Sequence, residues 1–141
     1  MRTRYSSLVS VKKNIMQKSE RVLQAKNAAL HNAKEALQNS LDALNEIQPP
    51  QNGIIADFLS NRALLDSGRS VIHHNEGWVV FAQREVEEAK EQLKRDMIEY
   101  EKYQYLELQE IEAIKKKEKI KEAKELDEVA LMTFMKKERS A

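Results

Sequence analysis

The sequence predicts an all-α fold: a long two-helix antiparallel coiled coil, a hairpin in which the C-terminal helix is the longer. Three observations predict it. The composition, with Gly 3, Pro 2 and Cys 0 in 141 residues and 33% charged against 41% hydrophobic, is that of long helices with much surface. Val9, Met16, Leu23, Leu30, Leu37 and Leu44 recur at a strict seven-residue interval, the period that keeps one seam turned towards a partner helix. The one clear break is the stretch QPPQNG at residues 48–53, where two prolines remove backbone donors and Asn-Gly supplies turn chemistry.

The first helix is expected over about residues 4–47, on the order of 65 Å long at 1.5 Å per residue. Leu8, Ile15 and Val22, then Ala29, Ala36 and Ala43, run beside its seam and widen the apolar stripe. Lys, Asn, Gln, Glu and Ser fill the solvated face. Such a helix cannot bury its seam alone. After a turn at about 48–53, Ile54, Ile55, Phe58, Leu59, Leu64, Leu65, Val71 and Ile72 open a second stripe, continued by Trp78, Val79, Phe81, Val86, Leu93, Met97 and Tyr100. A short connection between matching stripes implies antiparallel neighbours. A turn centred near residue 51 sets Leu44 near Phe58, Leu37 against Leu64, Leu30 against Val71 and Leu23 against Trp78, with pairing used up near residues 97–100. The second helix is expected over about 54–138, continuous or gently kinked near 68–77, where Gly68 and Gly77 each cost about 1 kcal/mol relative to alanine; a short separate helix ending at Gly77 is the alternative. The whole chain, 1–141, reads as a single coiled-coil domain.

The acidic and basic counts nearly cancel, at a net charge of +1, which argues against the broad basic footprint of a nucleic-acid-binding protein. The absence of cysteine fits a reducing compartment, and no apolar run reaches signal-peptide or membrane-span length. The expectation is a soluble cytoplasmic protein. His73 and His74 are adjacent and point to different sides of a helix without a third ligand at the next turn, so no metal site is expected. Phosphate loops, zinc-protease motifs and nucleophile arrangements are missing. No catalytic residue and no cofactor is therefore assigned, and the reading is that the protein is not an enzyme.

Contact, then, is the expected mode of action. Beyond the pairing limit, Tyr100, Tyr103, Leu106, Leu108, Ile111 and Ile114 retain apolar surface, and the charges of Lys115–Glu125 alternate at helical spacings that support a solvated helix. After this spacer, Leu126, Val129, Ala130, Met132, Thr133, Phe134 and Met135 gather apolar surface beside Asp127 and Glu128. A methionine-rich, aromatic-bearing helix end suits partner docking. A satellite contact against the first helix, or a frayed end, is the plainer alternative.

The N-terminal seam, interrupted turn, longer second helix and terminal KELDEVALMTFMKK resemble the FliJ family, the stalk-like component of the flagellar type III export apparatus, and its injectisome relatives of the YscO type. The motif of a Lys-rich helix followed by Leu or Met, Asp-Glu, an apolar residue and Ala is matched by Leu126, Asp127, Glu128, Val129 and Ala130. The resemblance implies a coiled coil similar to the central stalk of rotary ATPases. It further implies that the tip, including Phe134, binds the export ATPase hexamer, and that a surface near the turn contacts the cytoplasmic domain of the export gate. Leu37, Leu41, Leu44, Leu64 and Ile72 are the positions matching that surface. Gly68 departs from the pattern, standing where the family has a larger apolar residue. Export chaperones are the third implied partner. The protein would be a monomer in isolation and would reach the cytoplasmic face of the inner membrane only through partners. The alternatives are an injectisome stalk protein, a homodimeric coiled-coil adaptor, or an RNA-associated hairpin using the lysines of 115–124.

Overall fold

The computed structural model describes residues 2–140, and two helices account for nearly all of them: α1, Ser6–Glu46, and α2, Ile55–Ser140. Among the described residues there is no strand, and no helix is long and apolar enough to cross a membrane. The fold is the all-α hairpin with a longer second helix that the heptad pattern predicts.

Each helix starts on local chemistry. Ahead of α1, the Thr3 hydroxyl accepts from the Tyr5 amide at 3.1 Å, and the Ser6 hydroxyl accepts from the Thr3 amide at 2.9 Å. These bonds occupy donors that the first turn leaves without intrahelical partners. At α2 the Asp57 carboxylate reaches back to the Ile54 amide at 3.3 Å, and it also places a negative charge on the positive end of the helix dipole. Gly53 makes room for this. A Cβ there would lie 2.5 Å from Asp57 Oδ2.

The chain divides into two compact units, Ile15–Met97 and Met1–Asn14 with Ile98–Ala141. In the Ile15–Met97 unit the connection is no tight reversal. Residues 47–54 are non-helical, and Asn61 donates to the Gln48 carbonyl at 3.1 Å, so the Pro-Pro segment lies beside the first turns of α2. Extended chain rises about twice as far per residue as helix, which shifts the register. Leu44 lies against Gly68, where a Cβ would sit 2.8 Å from Leu44 Cδ1, and not against Phe58. Asn75 donates to the Ala36 carbonyl at 3.2 Å, and Lys26 pairs with Glu85 at 3.0 Å. Stepping this register by sevens sets Leu37, Leu30 and Leu23 opposite Asn75, Ala82 and Ala89.

This arrangement puts large residues of one helix against small ones of the other. In this register Leu44 of α1 faces Gly68, and Leu30 and Leu23 come opposite the small residues Ala82 and Ala89. Complementary volumes let the layers close without voids. The buried core is Ala33, Ile72, Ala82, Val86 and Ala89. Trp78, expected to fill the seam, is instead 40% exposed, because the small residues Asn75, Ala82 and Ala89 occupy the row that meets the α1 leucines. The row Ile15 and Val22, expected beside the seam, is also exposed. The seam takes the residues three places after each heptad leucine or methionine: Ser19, Lys26, Ala33 and Ser40 are half-buried or buried.

In the other unit, Tyr5 just before α1, Val9 and Lys12 of α1, and Tyr100, Tyr103, Leu106, Glu110, Ile111 and Ile114 of α2 are half-buried. Within this unit pairing therefore extends past residues 97–100, with Lys12 beside Glu99 and Arg4 beside Glu110.

Helix α2 is unbroken at Gly68 and Gly77. The two glycines differ in what surrounds them. A Cβ at Gly77 would meet nothing within 4 Å, so Gly77→Ala is expected to raise stability by about 1 kcal/mol. Gly68→Ala is expected to gain less, since Leu44 must give way. Thermal denaturation followed by circular dichroism checks both; a Gly77→Ala variant that melts below the parent would show a packing need that the open site does not have.

Candidate functional site

The residues that distinguish this chain from a plain hairpin lie at the end of α2. From Lys115 to Arg139 every residue is exposed. Leu126 is 69% exposed and Phe134 59%, and Val129, Leu131, Met132 and Met135 are comparably open. At 100° per residue these six side chains surround the helix with gaps of no more than about 80°. The Thr133 hydroxyl donates to the Val129 carbonyl at 2.8 Å, satisfying within the helix the one hydroxyl among them. The result is a helix segment apolar on all sides, the pattern of a segment enclosed by neighbours and unlike that of a surface helix with one buried face. Asp127, Glu128 and Ala130 share this exposed segment. Leu131 is absent from the apolar group read in the sequence, Leu126, Val129, Ala130, Met132, Thr133, Phe134 and Met135. A helical-wheel count taken around the full circumference would have included it.

The spacer before the tip holds Lys115, Lys116, Lys117, Lys119, Lys121 and Lys124 against Glu118, Glu122 and Glu125. Its apolar members, Ile120 and Ala123, are exposed.

The five positions near the turn are divided between the hairpin interior and its surface. Ile72 is 9% exposed and belongs to the core, and Leu37 and Leu44 are half-buried on the seam. Leu41 and Leu64 are exposed, Leu64 at 57%. Leu64 and Val71 with Ala43 and Ile47 border a shallow apolar groove whose floor includes Gly68 and Leu44. Gly68, the departure from the family pattern, thus serves the close contact between helices.

Three cross-helix polar contacts were not visible in the apolar pattern. Ser19 donates to Asp96, Lys26 pairs with Glu85, and Lys12 pairs with Glu99 at 3.7 Å while its ammonium lies 5.7 Å from the Tyr103 ring centre. Lys12, Ser19 and Lys26 are spaced by seven, three places after Val9, Met16 and Leu23, and that spacing was the available signal. His73 and His74 line an open groove with Gly77, Trp78 and Phe81 on α2. Among the described residues, no group of three or more His, Cys, Asp or Glu side chains is placed to hold a metal.

Fold and surface together define an interaction protein: an antiparallel two-helix coiled coil carrying an exposed apolar helix end. The family model described as flagellar FliJ protein matches residues 1–139, and the chain belongs to that family. It is accordingly a protein of flagellar export. Neither a curated protein nor a solved structure matches it.

Proposed function

We propose that the chain is a stalk subunit of the flagellar type III export apparatus, whose C-terminal tip enters the ring of the export ATPase. The observation that carries this reading is the tip's apolar surface on every side. A groove on a partner would cover one face, whereas a ring opening encloses the whole circumference and removes all six side chains from water. Leu126, Asp127, Glu128, Val129, Ala130 and Phe134 are the contact residues in this reading. The exposed pair Leu41 and Leu64 faces the cytoplasmic domain of the export gate, with half-buried Leu37 and Leu44 and the core residue Ile72 supporting it from within the hairpin. The stalk couples the two by transmitting displacement along hydrogen-bonded helix, and export chaperones are its further partners. It works in the cytoplasm, as a monomer when isolated, and meets the inner membrane through those partners.

The test is capture of the hexameric export ATPase by the full chain and by a chain ending at Glu125. Loss of capture on truncation is the expected result. Equal capture by both would overturn the assignment of the tip. Sedimentation at micromolar concentration separates this reading from a homodimeric adaptor, for which two copies would sediment together.

A further inference from the structure

We propose that residues 2–14 form a salt-released strap over the tyrosine-bearing face of α2 between Ile98 and Ile114. Within this unit two ion pairs tie residues 2–14 to α2. Arg4 Nη2 lies 3.4 Å from Glu110 Oε2, and Lys12 Nζ lies 3.7 Å from Glu99 Oε2 and over the Tyr103 ring. The Arg4 side chain is 72% exposed, so its pair is open to screening. Exposed ion pairs of this kind contribute little to stability and weaken as salt rises.

Apolar burial does not replace them. Tyr5 and Val9 are only half-buried, and Leu8 and Val11, which could have strengthened the contact, are exposed. The buried core residues, Ala33, Ile72, Ala82, Val86 and Ala89, all belong to the Ile15–Met97 unit. Segments with few buried apolar contacts open at lower free energy than the core of the same protein. Opening uncovers Tyr100, Tyr103 and Leu106, edged by Glu99, Glu107 and Glu110, and so converts a covered helix face into an acidic, aromatic one.

The chain has no cysteine, which allows paired spin labels on the full protein. Ser10→Cys with Gln104→Cys reports on the strap, and Asn32→Cys with Gln83→Cys reports on the Ile15–Met97 unit; all four positions are exposed. Raising salt from about 0.05 M to about 0.5 M shortens the screening length several-fold and is expected to increase the long-distance population of the strap pair about two- to fivefold. The control pair is expected to keep its distribution. Arg4→Gln with Lys12→Gln is expected to reproduce the change at low salt. An unchanged narrow distribution for the strap pair under both conditions would overturn the proposal. So would equal broadening of both label pairs, which would signal opening of the hairpin as a whole.

Discussion

Replacing Val129 and Phe134 together by aspartate is expected to abolish binding of the export ATPase ring while leaving the melting temperature of the free protein unchanged. Both side chains are exposed, at 60% and 59%, so their loss removes no internal packing, and exposed substitutions away from special features change stability by no more than about 0.5 kcal/mol. Their burial in a partner is another matter. Enclosing a valine or a phenylalanine contributes about 1.5–3 kcal/mol each, and a carboxylate placed in the same socket would be buried without a partner. A loss of at least about 3 kcal/mol corresponds to roughly a 100-fold weaker Kd. Titration of the variant against the assembled ATPase measures it. Undiminished affinity would remove the tip from the interface, and a fall in melting temperature would place these residues inside the fold.

The second large effect is expected at Val86. Its side chain is 2% exposed and is the largest fully buried one in the core. Val86→Asp puts an uncompensated charge there, at a cost of about 3–5 kcal/mol, against a total stability for a small domain of about 5–15 kcal/mol. A two-helix hairpin with only five buried apolar residues among the described ones belongs at the lower end of that range, so the variant is expected to lose most of its cooperative melting transition. Val80→Asp is the matched control, because Val80 is exposed on the same helix. Its transition is expected to stay within about 0.5 kcal/mol of the parent. Denaturant titration of both variants decides the point; similar midpoints for the two would mean that the seam does not run through Val86.

Much of this was legible from residue order, and the parts that were not have a common cause. The heptad row from Val9 to Leu44 is half-buried along its length as its period requires. The Pro-Pro break falls between the two helices. The second half of the seam does not follow hydrophobicity. Lys12, Ser19 and Lys26 belong to the seam although they are polar, since each has a hydrogen-bonding or ionic partner on α2. Leu8, Ile15 and Val22 are apolar and exposed. Trp78 was placed inside for its size, yet the register calls for small residues opposite the leucines of α1. At the tip, both the apolar residues and their lack of a partner on α1 are expected from the sequence, and the segment is exposed; what the sequence places too early, at residues 97–100, is the end of pairing.

Residue order by itself determined that the chain forms two unequal helices, where they part, and that the last turns are apolar, because period, prolines and composition act locally. The register, and with it the identity of the core and the point at which α2 loses its partner, was decided only by the tertiary structure. The reason is volume. Which leucine meets which glycine or alanine depends on how far the extended Pro-Pro segment carries the chain before α2 begins, and the heptad pattern of α1 does not fix that distance.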